Sequence, residues 1–286
     1  MNKLYSWIEQ QTEHSTRKMV ATLGVSQSGY YQWKKAEPGK RETDNQKLLK
    51  EIKSAFKEGR RKYGSPRITE RLKQSGQKVN HKRVARLMRE NGIVARIPKR
   101  FVKTTDSKHD NPIAENLLNR EFEVREVNQV WAGDISYLPT KTGWLYLSVV
   151  LDLCSRSVVG WSMRKDLSTE LSKEALEMAW KQRGKPSGVM FHSDRGVQYA
   201  AQDFRQKLNA YGFVQSMSRK GNCWDNACVE SFFGTLKQEG CGKIFENQEE
   251  AKAAVFEYIE VFYNRKRLHS TLGYLSPEQF EQRCIA

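Results

Sequence analysis

The chain has 286 residues, 38% of them hydrophobic, and a mean hydropathy of -0.74, so it is long enough for two domains. No apolar run approaches the roughly 18 residues of a membrane span, and the N-terminus lacks the apolar core of a signal peptide. We therefore expect a cytoplasmic protein without membrane contact. The formal net charge is +16, and residues 1–110 hold 27 Lys and Arg against 11 Asp and Glu. This asymmetry predicts a basic module that binds nucleic acid, followed by a neutral module; an evenly solvated basic surface is the alternative.

Residues 1–40 predict a short helix-turn-helix-like segment. Helical patterning over residues 16–35 is interrupted at Gly24, and Ser26 suits the N-cap of the second helix. Short helix pairs are common, so this pattern by itself is only weakly indicative of DNA binding.

Residues 44–96 predict a second all-α unit, a helix-turn-helix DNA-binding domain. Pro66 suits the first turn of one helix, and Asn80 suits the N-cap of the next. That last helix has an apolar face opposite a basic stripe, as a recognition helix does. A solvated helix face is the alternative. The candidate DNA contacts are Lys82, Arg83, Arg86 and Arg89.

Residues 97–128 predict a basic linker, and residues 129–286 predict an α/β domain. Three apolar runs, VWAGDISYL, LYLSVVLDL and RSVVGWSM, are typical of β-strands. A helix, a strand, a helix, a strand and two closing helices are expected to follow. This order predicts a mixed five-stranded sheet covered by helices.

Three acidic residues are candidates for a shared site in this domain. Asp134 lies inside the first strand, Asp194 follows the fourth, and Glu230 lies on a later helix. Carboxylates that converge need a cation, and oxygen ligands favour Mg²⁺ or Mn²⁺. Two such ions support an in-line phosphoryl displacement. A salt-bridged structural acid is the alternative for Asp134.

The cysteines do not predict a metal or disulfide framework. Their number is odd, there is no CxxC pair, and the close pair Cys223 and Cys228 has no second pair to complete a zinc site. We therefore expect thiols that pack without a ligand.

Several segments, in order, resemble the catalytic, second-reading-frame (OrfB) transposases of insertion-sequence-three-type elements. They are WAGDISYL, LYLSVVLDLCSR, FHSDRGVQY, SMSRKGNCWDNACVESFFGTLKQE and YNRKRLHSTLGYLSPEQF, preceded by KYGSPRI. These proteins belong to the DDE transposase and retroviral integrase superfamily. The resemblance covers residues 45–280 and implies a ribonuclease-H-like catalytic core preceded by a helix-turn-helix domain.

The resemblance implies a catalytic and metal-binding triad of Asp134, Asp194 and Glu230, with 35 residues between the last two. Lys237, seven positions after Glu230, corresponds to a DNA-binding residue. The implied activity is Mg²⁺-dependent nicking and strand transfer at two metal ions, with Mn²⁺ able to substitute. A DNA-binding repressor without catalysis and a purely hydrolytic ribonuclease-H-like nuclease are the alternatives.

The implied partners are double-stranded DNA, as terminal inverted repeats and as target, and further copies of the chain in a dimer or higher oligomer. The product of an upstream reading frame is a further implied partner, by fusion or by binding. Association with the bacterial nucleoid is expected when DNA is bound.

Other residues near these motifs have open roles. Asp152 is expected to be structural or to support the site indirectly, and His192 either tunes the site or packs at a strand end. The residues from Arg265 to His269 form a basic cluster with a loosely assigned DNA role. The aromatic residues expected in the core are Trp224, Phe232 and Phe233.

Overall fold

The computed structural model describes residues 2–35, 39–95, 111–220 and 222–285. The first part of the predicted linker, residues 97–110, lies outside the described residues. Its second part, residues 111–128, contains turns but no helix or strand. None of the helices in the described part of the chain is long and apolar enough to cross a membrane.

The N-terminal unit has three helices where the sequence predicted two. They are α1 (Asn2–Gln10), α2 (Thr16–Thr22) and α3 (Gln27–Lys35). The pair α2 and α3 confirms the predicted helices. The unpredicted α1 buries Tyr5 and Ile8, and the ring of Tyr5 contacts that of Tyr30 at 5.9 Å. This apolar contact explains why a third helix is present.

The second unit also has three helices, as predicted. They are α4 (Lys40–Glu58), α5 (Ser65–Gln74) and α6 (His81–Glu90). Pro66 lies in the first turn of α5, and the Asn80 side chain caps α6 by accepting from the Lys82 N–H at 2.8 Å. The three helices enclose an apolar core in which Ile52 and Ile68 are fully buried.

A mixed five-stranded sheet forms the centre of the α/β domain, as predicted. Its strands are β1 (Val130–Thr140), β2 (Gly143–Asp152), β3 (Val158–Arg164), β4 (Met190–Ser193) and β5 (Val214–Met217). The spatial order is β3-β2-β1-β4-β5. The first three strands are antiparallel, and β1, β4 and β5 run parallel.

Helices cover both faces of this sheet. They are α7 (Thr169–Gln182), α8 (Val197–Ala200), α9 (Gln202–Ala210), α10 (Ala227–Glu239), α11 (Gln248–Phe256) and α12 (Pro277–Ile285). One core lies between the sheet and α7 to α9, and the other between the sheet and α10 and α11. Alternate residues of β1 enter the two cores, because Trp131 faces the first and Ala132 the second.

The prediction of two closing helices was incomplete. The second of the two closing helices is α-helical over Gln248–Phe256 and continues as a π-helix, Glu257–Tyr263. Helix α12 then follows, beyond the predicted elements. Helix α12 has nine residues and few apolar ones, and it was not predicted.

The second helical unit is packed on the C-terminal part of the α/β domain. Leu268 enters the apolar core of α4 to α6, and its N–H donates to the Tyr63 hydroxyl at 2.9 Å. The Gln74 side chain donates to the Tyr274 carbonyl at 2.9 Å. These contacts fix the position of the basic helices relative to the sheet.

Candidate active site

Asp134 and Asp194 lie side by side where β1 runs past the end of β4. Gly133 pairs with Ser193 in the parallel ladder, so the residues that follow are neighbours. Asp134 Oδ1 accepts the N–H of Ile135 at 2.8 Å, and Asp194 Oδ1 accepts the N–H of Gly196 at 2.9 Å. Both aspartates line one cleft of about 510 Å³.

Glu230 is brought towards this pair by the start of α10. The Asn226 side chain, at the N-terminal end of that helix, donates to the Gly133 carbonyl at 3.3 Å. Val229 and Phe232 then pack into the core that also contains Ala132. The first turns of α10 are therefore held against β1 beside Asp134.

The electrostatics of Asp134 reflect these neighbours. Burial raises the pKa of the Asp134 carboxyl well above its ordinary value, and the negative charges of Asp194 and Glu230 raise it further. The N–H of Ile135 and the ammonium group of Lys237 oppose the rise in pKa. The three acids thus interact, and their mutual repulsion favours the binding of a cation.

The donor chemistry fits a hard divalent ion. Among the described residues, no three His, Cys, Asp or Glu side chains are close enough together to enclose a metal ion. The three carboxylates are therefore neighbours whose oxygen atoms do not meet around one point. An all-oxygen set with excess negative charge suits Mg²⁺ or Mn²⁺.

Lys237 lies on the same helix as Glu230, nearly two turns further on. Lys237 is exposed, and its ammonium nitrogen is 5.1 Å from the centre of the Tyr137 ring. Partial loss of water around the ammonium group lowers its pKa, and the charge of Asp134 opposes this. A positive group therefore lies at the border of the cleft.

Asp152 has a structural environment. It is fully buried, and its two oxygens accept the N–H groups of Cys154 at 2.9 Å, Ser155 at 3.1 Å and Asn128 at 2.7 Å. Burial raises the pKa of Asp152, and these N–H groups oppose the rise. The carboxylate closes the turn after β2 and ties it to the start of β1.

His192 is also packed inside the protein. Its ring nitrogens lie 2.9 Å from the Ser216 hydroxyl and 3.2 Å from the Ser218 hydroxyl. Burial lowers the pKa of His192 to about 4. Of the two roles left open, the packed strand histidine fits these contacts.

The expectation that Trp224 lies in the core was wrong. Trp224 is 69% exposed, whereas Phe232 and Phe233 are buried as expected. The reason is a 3-10 turn, Cys223–Asn226, that precedes α10 and does not follow the helical period.

Asp225 is buried in that turn whereas its neighbour Trp224 is exposed, and the role of Asp225 was not predicted. It accepts hydrogen bonds from the Arg219 backbone and guanidinium, from Arg120 and from Asn116. The Arg219 guanidinium holds the pKa of Asp225 far below its usual range. Asp225 thereby anchors the turn from which the Glu230 helix starts.

The basic cluster from Arg265 to His269 is divided by burial. Arg265 and Lys266 are exposed, but Arg267 and His269 are buried. Arg267 is paired with Glu239 at 2.7 Å. The loosely assigned DNA role therefore stays a prediction for Arg265 and Lys266, because Arg267 and His269 face the interior.

Three of the four candidate DNA contacts of α6 line a groove of about 700 Å³. Arg83 donates to the Asn45 side chain at 2.8 and 3.0 Å, and Arg86 pairs with Glu90 at 3.2 Å. Arg89 is exposed and lies outside the groove lining. Lys40 and Arg41, at the start of α4, extend the groove and were not predicted as DNA contacts. The basic lining residues are Lys40, Arg41, Lys82, Arg83 and Arg86.

The fold and the site define an enzyme with an integrase-type core and a helix-turn-helix unit. One family model, of an HTH-like domain, matches residues 43–101, and two integrase core domain models match residues 124–223 and 230–285. The chain is 43% identical over 286 residues to the transposase InsF for insertion sequence IS3A of Escherichia coli (strain K12), covering 99% of each chain. It is also 43% identical over 266 residues to the insertion element IS600 uncharacterized 31 kDa protein of Shigella sonnei, covering 93% of this chain and 98% of that one. The chain belongs to the insertion-sequence IS3 family of DDE transposases.

Solved structures of viral integrases are less similar in sequence than these transposases. The simian T-cell lymphotropic virus intasome in complex with PP2A regulatory subunit B56 gamma matches with a TM-score of 0.45 and 16% identity, over 76% of this chain and 70% of that one. The HTLV-2 integrase catalytic core domain in complex with magnesium matches with a TM-score of 0.40 and 19% identity, over 54% of this chain and 95% of that one. The fold assignment rests on the family models and the sheet, which together give a ribonuclease-H-like core. The chain is thus a polynucleotidyl transferase that acts on DNA, in a family that depends on divalent metal ions.

Proposed function

We propose that the chain binds the terminal inverted repeats of its insertion sequence and catalyses Mg²⁺-dependent nicking and strand transfer. The observation that carries this proposal is the placement of Asp134 on β1 and of Asp194 directly after the parallel neighbour β4, with Glu230 near enough to raise the pKa of Asp134. A carboxyl group whose pKa is raised by neighbouring negative charges is expected at a site that binds a cation during its reaction.

Asp134, Asp194 and Glu230 would hold two metal ions, Mg²⁺ or, in its place, Mn²⁺. When bound, the ions would activate the attacking oxygen and stabilise the leaving oxygen of the phosphodiester. Water is the nucleophile of nicking, and a 3′ hydroxyl of DNA is the nucleophile of joining. The hydrogen bond from Asn226 to Gly133 supports this role by holding α10 against β1.

Lys237 is proposed to bind a phosphate of the DNA end. Its exposed position and its place beyond Glu230 on α10 support this role. A lysine ammonium is a strong phosphate partner because of its charge and its three donors. The DNA end would thereby be held beside the three acids.

Sequence recognition is proposed for the helix-turn-helix domain, residues 44–96. The basic residues of α6 and the neighbouring groove support DNA contact there. The short N-terminal unit, residues 1–40, would add a second contact to DNA.

The active complex is proposed to be a dimer or larger, since two DNA ends must be joined. It is also proposed to include the product of an upstream reading frame. Association with the nucleoid follows from DNA binding.

Strand joining on defined oligonucleotides tests this function. One duplex carries the terminal repeat, and a second has the same composition in scrambled order; each is incubated with Mg²⁺ or with a chelator. We expect nicking and joining of the repeat alone, and only with metal. Binding of the repeat without nicking or joining would favour a repressor, and equal cutting of both duplexes would favour a nuclease.

A further inference from the structure

The cleft that contains Asp134 and Asp194 continues into an aromatic recess at the β1–β2 hairpin. Three of the four aromatic rings that line the cleft belong to this hairpin, those of Tyr137, Trp144 and Tyr146, whereas the fourth, Tyr199, is buried on α8. The rings of Tyr137 and Trp144 meet edge to face, with centres 4.8 Å apart and planes at 88°. Trp144 is nevertheless 51% exposed. The tyrosine contact therefore holds the indole in place and leaves half of its surface in water.

Two further apolar side chains are exposed in the lining of the same recess. Leu167 is 48% exposed and Val197 is 41% exposed. Grouped apolar side chains that stay in water beside a catalytic cleft are typical of a ligand site. The recess and the cleft together have a volume of about 510 Å³, which is within the usual range for ligand sites.

We propose that this recess binds an unpaired nucleobase from the DNA end that is held for reaction. This inference rests on the proposed function, because Lys237 is taken to hold that end. A base has two flat apolar faces, and aromatic side chains stack on them without regard to sequence.

Lys237 connects the recess to the reaction site. Its ammonium nitrogen is 5.1 Å from the Tyr137 ring, which forms part of the recess, and α10 also carries Glu230. A phosphate bound by Lys237 thus has its base within reach of the ring pair. Charge and stacking act on adjacent parts of one nucleotide, which favours the DNA end over a base of the target.

Paired substitutions at Trp144 test the stacking surface. Trp144→Leu keeps an apolar side chain but removes the aromatic face, and Trp144→Phe keeps a face. The control is Phe256→Leu, since Phe256 is similarly exposed at 52% but lies on α11, away from the proposed DNA contacts. We expect Trp144→Leu to lower joining about tenfold, and the other two to stay near the parent, as base stacking contributes about that factor. Thermal unfolding of all variants separates this effect from loss of the fold.

Removal of single bases identifies the occupant. Abasic nucleotides are placed one at a time near the DNA end and, separately, in the target. At the position that fills the recess, we expect base removal to slow the parent about tenfold and to cause no further loss in Trp144→Leu, because two changes to one contact are not additive. Coupling to a target position instead, or to no position, would overturn the proposal.

A binding measurement separates this inference from the proposed function. 2-Aminopurine is placed at one position at a time near the DNA end, and at one of these positions we expect its fluorescence to change on binding to the parent and not to Trp144→Leu. If the parent joins no DNA yet gives this Trp144-dependent change, the recess stands and the proposed activity falls. If the parent joins DNA and Trp144→Leu behaves like Phe256→Leu, the recess proposal falls and the activity stands.

Discussion

Glu239 and Arg267 form an ion pair inside the protein. The guanidinium donates to both carboxylate oxygens, at 2.7 and 3.0 Å, and the two side chains are 6% and 4% exposed. Glu239 is the last residue of α10, and Arg267 follows the π-helix. The pair therefore ties the helix that carries Glu230 to the C-terminal segment on which the second helical unit packs.

Arg267→Met is expected to lower the free energy of unfolding by about 3–5 kcal/mol, because it leaves the Glu239 carboxylate buried without its partner. Chemical denaturation measures this change. The control is Lys141→Met, whose ion pair with Glu246 is exposed at 63% and 67% and should contribute less than about 1 kcal/mol. Equal losses in the two variants would contradict a structural role for the buried pair.

Asp134 and Asp152 are expected to respond in opposite ways to replacement by asparagine. Asp134→Asn removes a charge that burial and neighbouring acids disfavour, so without metal it should raise the melting temperature by a few degrees, at about 2–4 °C per kcal/mol. Mg²⁺ should stabilise the parent but not this variant.

Asp152→Asn, by contrast, loses an acceptor for backbone N–H groups and should lower the free energy of unfolding by about 1–3 kcal/mol. Calorimetry with and without Mg²⁺ checks both; a destabilised Asp134→Asn that still responds to Mg²⁺ would count against the site.

His192 should make the fold sensitive to mild acid. Its pKa in the folded chain is about 4, below the ordinary value of 6.5, so the unfolded chain takes up the proton first as the pH falls. At pH 7 His192 is neutral in both states and does not affect stability. Between pH 6.5 and pH 4 only the unfolded chain binds the proton, so the free energy of unfolding falls by about 3 kcal/mol in total. Urea unfolding across this range should show a shallower decline for His192→Gln than for the parent. Exposed His14→Gln is the control and should follow the parent; identical slopes for all three would exclude this role of His192.

Gly160 and Gly234 offer a matched test of packing. A methyl group at Gly160 would lie 2.3 Å from the Ala175 carbonyl oxygen, so α7 would have to move from β3, at a cost of about 1–3 kcal/mol. At Gly234, on α10, nothing lies within 4 Å of an added methyl group. Gly234→Ala should therefore stabilise the helix by up to about 1 kcal/mol. Thermal unfolding of both alanine variants measures the contrast, and a neutral Gly160→Ala would mean that α7 does not pack this closely.

The strands and most helices were predictable because their apolar residues follow the period of each element. Asp134 stood out because a charge inside an apolar strand is costly unless it has a role. Trp224 was misjudged because the period of α10 does not extend into the 3-10 turn before it. The aromatic recess was not predictable, since Tyr137 and Trp144 meet only when the β1–β2 hairpin closes and pairs Pro139 with Trp144. Contacts that depend on tertiary structure leave no local pattern in the sequence.

The triad is tested most directly by strand joining with Mg²⁺ on a duplex that ends in the terminal repeat, comparing the parent with Asp194→Asn and Asp203→Asn. Asp203 is an exposed aspartate at the start of α9 and provides the control. We expect Asp194→Asn to bind the repeat as the parent does and to join it at least about a hundredfold more slowly, since it lacks a metal ligand. Asp203→Asn should join at the parental rate. Joining by Asp194→Asn at the parental rate would contradict the assignment of Asp134, Asp194 and Glu230 as the metal-binding acids.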